Sequence, residues 1–395
     1  MAGLKIGGFH PPYNIDFPTL PGQTLRSNAG GGGRIAIGSR AMTRDIRPLT
    51  PDDIPELSRF LTAGFQAPPE SDYAAPEVLR WKYLEPPGAC AGPAAPRSYV
   101  ARDEAGRIIG HLGLCRTAFE GQALAAVGGS VPTIHIIDWL GSPQHRAVGM
   151  SLMRTAHQGV ATQFGLGVSQ AALVVGERAG YELRSLVPVY TRVLRAGYWL
   201  RAGGLGPAQR GLRLARDVAR RWVWPPAAPR GMLTLHRVSA FGPEILPIVE
   251  PMKQHVLLTS RDPARLNGML RFPRQAMSGW HLIDDSGRLR GFAVLNLIPK
   301  DQGRTRTGKF VDCLLDDTDV VPWHAAVMAL TRELSRQGAD LAQAYASTPW
   351  MAEALRRSGY TSRFSVKFHI RDRQGIIPRD AMFHLTPLEG DYAYT

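Results

Sequence analysis

An apolar run, Tyr99 to Ala101, passes through Arg102 and Asp103, pauses over Glu104, Ala105, Gly106 and Arg107, and turns apolar again from Ile108 to Leu114. Such runs on either side of a glycine turn predict a β-hairpin. The pattern returns at Trp280 to Asp284, Gly287 and Leu289 to Leu295. Apolar residues at helical spacing over 171–179 close on Gly180-Tyr181, and those over 350–357 close on Gly359-Tyr360, as glycine C-caps do. Gly287 follows Gly106 by 181 positions and Gly359 follows Gly180 by 179, while Leu79 to Tyr83 and Leu266 to Leu270 hold similar places upstream. A tandem duplication accounts for these landmarks recurring in one order at nearly one spacing.

Within a copy the periodicity predicts a strand at 46–49, a helix at 51–64, an irregular stretch and then the hairpin. A strand ending near Leu140 follows, then a turn and helix through 148–163, a strand at 165–169, a helix, and a last strand at 183–194. Asp52 and Asp53, just after Thr50, suit a helix start, where carboxylates face the positive end of the dipole.

A chain of 395 residues exceeds one ordinary core and suits two domains. The expected division is a disordered tail at 1–41, a first domain at 42–197, a basic linker at 198–232 and a second domain at 233–395. The tail carries Gly30 to Gly33 and no apolar signal core, and Met42 is the expected natural start. Mean hydropathy of -0.15 and the lack of a spanning apolar run describe a soluble globular chain. Three cysteines, Cys90, Cys115 and Cys313, form neither a disulfide framework nor a metal motif, so no metal site and a reducing, cytoplasmic compartment are expected.

The net charge of +14 raises nucleic acid as a partner. Only six of the 47 basic residues are lysine, an arginine skew that GC-rich codon usage produces, and no basic run is interleaved with aromatics. Nucleic acid is therefore not the expected partner. Residues 207–224 plot as an amphipathic helix, with Leu214, Val218 and Trp222 on one stripe and Arg210, Arg213, Arg220 and Arg221 opposite. It reads first as a linker helix packed across the domain junction, and second as a peripheral contact with an anionic membrane such as the inner membrane.

The segment from Asp138 to Met153 carries the most chemistry. An apolar run (Ile134, Ile136, Ile137, Trp139, Leu140) stops at Gly141-Ser142-Pro143, a short basic turn follows, and Val148, Leu152 and Met153 then recur at helical spacing. Inside the turn lies Gln144-x-x-Ala147-x-Gly149, where small residues let backbone amides at a helix start converge on an anion. Strand, small-residue turn and helix in this order resemble the pyrophosphate loop of the GNAT acetyltransferase superfamily. The element order over 43–196 is similar to that family's, and 233–385 follows it in plan.

The resemblance implies an α/β (α+β) fold of two GNAT-like domains, each a mixed, mostly antiparallel sheet flanked by helices. It also implies an acyl-CoA-dependent N-acyltransferase that passes acetyl from acetyl-CoA to a primary amine of a small molecule or sugar. The diphosphate would lie against Gln144, His145, Arg146, Ala147, Val148, Gly149 and Met150, the pantetheine arm and thioester against Trp139 and Leu140, and Ser169 would touch the cofactor. Asp138 interrupts an apolar strand where it should open toward the thioester. A carboxylate among apolar neighbours has a raised pKa suited to a base, so Asp138 is the first candidate for catalysis. His135 and His111 are weaker candidates.

The family's usual general acid, a tyrosine four residues before the Gly180 position, falls on Gly176, so the expected phenol is missing. In the second copy Asp316, Asp317 and Asp319 precede the corresponding helix and would repel a diphosphate. That copy is expected to support the first and wall the acceptor cleft. Two other readings are a tandem transferase using aminoacyl-tRNA or a long-chain acyl donor, and a non-catalytic module that binds acyl-CoA or a partner.

Overall fold

A computed structural model describes residues 45–67, 72–85, 96–145, 147–158, 160–168, 170–204, 206–223, 226–229, 231–274, 277–390 and 393–394. The tail at 1–41 and Arg146 and Ser169 lie outside them.

The first half runs β1 (Asp45–Pro48), α1 (Ile54–Gly64), α2 (Pro76–Tyr83), β2 (Ser98–Arg102), β3 (Ile108–Glu120), β4 (Ser130–Gly141), α3 (Val148–His157), β5 (Thr162–Leu166), α4 (Gln170–Arg178) and β6 (Glu182–Val193). Helices α5 (Tyr198–Arg201) and α6 (Pro207–Val223) connect it to the second half. There follow β7 (Leu233–Val238), α7 (Leu246–Met252), β8 (Leu258–Thr259), α8 (Pro263–Leu270), β9 (Ser278–Asp284), β10 (Leu289–Lys300), β11 (Thr305–Leu315), α9 (Val320–Arg336), β12 (Leu341–Tyr345), α10 (Pro349–Arg357) and β13 (Thr361–Asp372). Apart from the short β8, the halves repeat element for element.

The repeat extends to hydrogen bonds. Asp103 accepts from the amides of Ala105 and Arg107, with Gly106 at φ 76°, and Asp284 accepts from those of Ser286 and Arg288, with Gly287 at φ 84°. Only glycine takes that left-handed corner without strain, so both hairpins carry it at the same place. At the helix ends, the Tyr181 amide reaches the Gly176 carbonyl and the Tyr360 amide the Leu355 carbonyl, each over 3.0 Å.

The predicted helix at 148–163 is shorter than expected. It stops at His157, and the next strand is 162–166 rather than 165–169, because Thr162, Gln163 and Phe164 are taken up as ladder partners of Thr133, Ile134 and His135.

The described strands form one sheet, in the order β1-β2-β3-β4-β5-β13-β6-β12-β11-β10-β9-β7, with β8 paired to β3. It is mixed and mostly antiparallel as expected, with parallel pairs at β4–β5 and β11–β12. The two halves exchange their last strands. β6 pairs with β12 of the second half, β13 pairs with β5 of the first, and β6 and β13 pair with each other at the centre. The division at residue 197 follows the chain, but the halves are continuous in space. Helices α1, α2, α7 and α8 share one core, where the Trp81 indole lies 5.2 Å from the Phe272 ring and donates to the Gly268 carbonyl at 3.1 Å. Burying such aromatic surface makes each half a support for the other.

Helix α6 packs on α5. The Trp199 Nε1 donates to Asp217 at 2.5 Å, Arg213 lies 4.8 Å over the Trp199 ring, and Leu214 joins the cluster of Tyr198, Trp199 and Leu341. Leu212 remains 73% exposed.

His384, wholly buried near Arg261, is pulled down to about 4 by burial first and that cation second. Its unfolded value is about 6.5, so the unfolded chain takes up a proton that the folded one refuses between those pH values. Stability should therefore fall as pH drops through 6.5 toward 4, while this group gives no slope above pH 7. Thermal melts between pH 7 and pH 4 should lose several degrees, and His384→Gln should flatten the decline. An unchanged slope in that variant would contradict this source of acid sensitivity.

Candidate active site

Strands β4 and β5 are paired only from Thr133 to His135 and from Thr162 to Phe164, and then separate. The wedge between them opens into a cavity of about 150 Å³. Ile136 to Trp139 form one side, Gly165 to Val168 the other, and Ala172, Leu173 and Gly176 of α4 also line it, with Phe65, Met153, Tyr181 and His369. His369 stands on β13, so the strand exchange carries a second-half residue into a first-half cavity.

Asp138 sits at a bulge in the wall. Pairing passes from Gly113↔Ile137 to His111↔Leu140, which leaves Asp138 and Trp139 together against Leu112. Asp138 has φ 47°, a left-handed conformation that costs a non-glycine residue energy and needs outside support. The support comes from His111, whose Nδ1 lies 2.9 Å from the Asp138 carbonyl and whose Nε2 lies 2.7 Å from Ser98 Oγ. A carbonyl can only accept, so Nδ1 carries the proton and Nε2 accepts from the serine hydroxyl. His111 is thus a buried prop for the bulge. His135 stacks on Phe164 with ring centroids 4.6 Å apart.

The surroundings of the Asp138 carboxylate are not apolar, as the sequence suggested. Lys82 Nζ and the Tyr83 hydroxyl each donate to its Oδ2 at 2.5 Å, from the last turn of α2. The Lys82 and Asp138 side chains are 2% and 4% exposed. Asp138 of this desolvated pair lines the cavity, and neither of its donors was identified from sequence. No local signal marks them, since they lie 56 and 55 residues upstream.

Past the bulge, β4 runs into the turn. Ser142 donates to Gln144 through its hydroxyl at 2.6 Å, the His145 amide bonds the Ser142 carbonyl, and Ala147 at φ 65° caps α3. Val148 is buried under the helix, while Gln144 and Ala147 are exposed and Gly149 and Met150 half-buried. Gly141 and Gly149 let strand and helix abut, since a Cβ on Gly141 would lie 2.9 Å from Val148 Cγ1 and one on Gly149 3.3 Å from Trp139 Nε1. That indole donates to the Gly149 carbonyl at 3.1 Å and also lines the cavity, so it joins turn and wedge. Leu140 packs against the core shared by α1 and α2.

Gly176, where the family's phenol would stand, lines the cavity with nothing beyond hydrogen. The nearby Tyr181 hydroxyl is committed to Gln163 Oε1 at 2.6 Å, and burial pushes its pKa up.

The second half has the same wedge in a different state. β11 and β12 pair over Thr307 to Lys309 and Leu341 to Gln343 and then part. Asp312 is the counterpart of Asp138, each lying three residues before the residue opposite the glycine of the neighbouring strand, Leu315 opposite Gly291 and Gly141 opposite Gly110. Chain segment 383–389 spans this wedge. His384 Nε2 lies 3.1 Å from the Cys313 carbonyl, the Leu385 amide donates to Ser347 Oγ, and the Thr386 hydroxyl donates to Asp312. Arg261 pairs with Asp312 at 3.0 Å and Glu389 at 2.9 Å, all fully buried. Burial alone would raise the Glu389 pKa, but Arg261 holds it below the usual carboxylate value. At the start of α9, Asp319 caps the Val321 amide and Asp316 binds Arg288 and Arg290.

No family model matches the chain, and no curated protein sequence does. Solved structures are similar to it in shape. A GCN5-related N-acetyltransferase from Anabaena variabilis aligns over 84% of this chain and 73% of its own, with 13% identity and a TM-score of 0.55. Saccharomyces cerevisiae N-myristoyltransferase with bound myristoyl-CoA aligns over 84% and 83%, with 11% identity and a TM-score of 0.54. A probable N-acyltransferase from Enterococcus faecalis aligns over 85% and 74%, with 13% identity and a TM-score of 0.52. The fold is that of GNAT proteins, present in two copies along the chain.

Proposed function

We propose that this chain is an acyl-CoA-dependent N-acyltransferase, with its working site in the first-half wedge. The observation that supports this most is the opening of β4 from β5 beside the Asp138 bulge, directly before the turn that starts α3. The amides of Ala147, Val148, Gly149 and Met150, with Gln144, His145 and Arg146, take the diphosphate, aided by the dipole of α3. The edge of β4 at Trp139 and Leu140 orients the pantetheine arm, and Ser169 flanks the donor. The acyl group is acetyl, and the acceptor is a primary amine of a small molecule or sugar.

The amine attacks the thioester carbonyl directly, helped by fixed placement of both reactants. Asp138, held by Lys82 and Tyr83, takes one proton from the incoming ammonium to free its lone pair. The filled second wedge and its self-capped α9 leave the second half without a donor site of its own. Apolar lining from Ile136, Met153, Leu166 and Leu173 favours a longer acyl donor as the second reading.

Thiol release should be followed with acyl-CoA donors from two to fourteen carbons against a panel of amines. Saturable acetyl transfer to at least one amine, faster than with longer donors by tenfold or more, is the expected result. A maximum at long chains would select the second reading, and binding without release would leave a non-catalytic acyl-CoA module.

A further inference from the structure

His369 is 4% exposed, lines the first-half cavity, and among the described residues its Nδ1 has no hydrogen-bond partner. A buried imidazole nitrogen left unpaired is costly, and such groups gather where chemistry needs them. Its position is a product of the strand exchange. On β13 it stands opposite Gly165 of β5, which presents no side chain beside it. Across the cavity Gly176 is equally bare, since a Cβ there would meet only the Tyr181 Cβ at 3.8 Å. Tyr181 of the same wall is engaged through its hydroxyl on Gln163, and the Asp138 carboxylate is held from outside the cavity by Lys82 and Tyr83.

We infer that His369, supplied by the second half, carries the proton from the attacking nitrogen to the departing thiol sulfur in the first-half site. This rests on the acyltransferase reading of the wedge. After Asp138 has taken one proton from the ammonium, the neutral amine forms its C–N bond and the carbonyl becomes tetrahedral. The nitrogen then gives a second proton to Nδ1 of His369. As the C–S bond breaks, the electron pair leaves with sulfur, and the imidazolium returns that proton to the thiolate. The products are an amide and a free thiol, the imidazole is regenerated, and one proton has passed to solvent by way of Asp138.

The resting state suits this role. Burial, together with the Lys367 charge on the same strand, lowers the His369 pKa against the charge of Glu177 on α4 and a hydrogen bond to the Lys367 backbone, so the resting ring is neutral. The exchange also explains why neither half would be complete alone: the wedge and turn come from one copy and the proton carrier from the other.

The full-length protein and its His369→Gln and His369→Ala variants should be compared by calorimetric titration with acetyl-CoA and by turnover with the best amine of the panel. Both variants should bind acetyl-CoA within threefold of wild type and lose kcat by about 100-fold, the usual scale for one acid–base group. Added imidazole should restore at least tenfold in His369→Ala, which leaves room for it, and not in His369→Gln. Turnover within threefold of wild type, a parallel loss of acetyl-CoA binding, or no response to imidazole would overturn the assignment. Wild-type protein that binds no acyl-CoA is a separate result, which removes the reading of the wedge and this proposal with it.

Discussion

A Gly149→Glu variant is expected to lose acyl-CoA affinity by about 100-fold or more, equivalent to roughly 3 kcal/mol, while the protein stays folded. Two effects act together. The new carboxylate stands on the first turn of α3, where the diphosphate would face the helix dipole, and like charges repel there. The added Cβ also sits 3.3 Å from Trp139 Nε1, so the indole joining turn and cavity must give by a few tenths of an ångström. Gly149→Ala separates the two, because it keeps the steric effect and omits the charge. It should retain most of the affinity in a calorimetric titration. If Gly149→Glu bound acyl-CoA as the wild type does, the turn at 144–150 would not be the diphosphate site.

The largest effect on stability is expected at the other wedge. Arg261→Leu leaves the Asp312 and Glu389 carboxylates buried without their cation, and breaking such a network from one side costs about 3–5 kcal/mol. Urea unfolding should show this as a lower midpoint. Replacing Arg261, Asp312 and Glu389 together by apolar residues of similar volume should recover much of the loss, since no orphaned charge then remains. A cost below about 1 kcal/mol for Arg261→Leu would show that water reaches the network and screens it. The same substitution tests whether segment 383–389 is held in its wedge by charge, because Thr386 and Glu389 both attach there.

Local chemistry explains which features were legible beforehand. Asp103 and Asp284 build their turns from hydrogen bonds within five residues, and Gly180 and Gly359 cap helices through their own neighbouring carbonyls. The duplication, the hairpins and the order of elements follow from such short-range rules. Limits of elements were less legible. Thr162 can end a helix or begin a strand, and its pairing opposite Thr133 decided between them.

The candidate site was legible in part. Asp138, Trp139 and the turn at 144–150 were singled out from an interrupted apolar strand and a small-residue spacing; in the structure Asp138 and Trp139 line the cavity, and the turn meets it through the Trp139 bond to the Gly149 carbonyl. The Lys82 and Tyr83 donors were not identified, because 79–83 falls in the stretch expected to be irregular, where the structure has α2 with its last turn laid against Asp138. His369 looks like one polar position in an alternating strand.

By itself, the sequence determined what each stretch of chain becomes, because turn geometry, helix caps and the alternation of apolar residues act between neighbours. Tertiary structure alone decided which strands meet. A strand's backbone offers the same donors and acceptors to any edge, so nothing in 182–193 or 361–372 specifies that β6 and β13 trade places. That choice put His369 beside the Asp138 wedge, and the course of segment 383–389 filled the matching wedge of the second half, leaving two copies of one plan with different interiors.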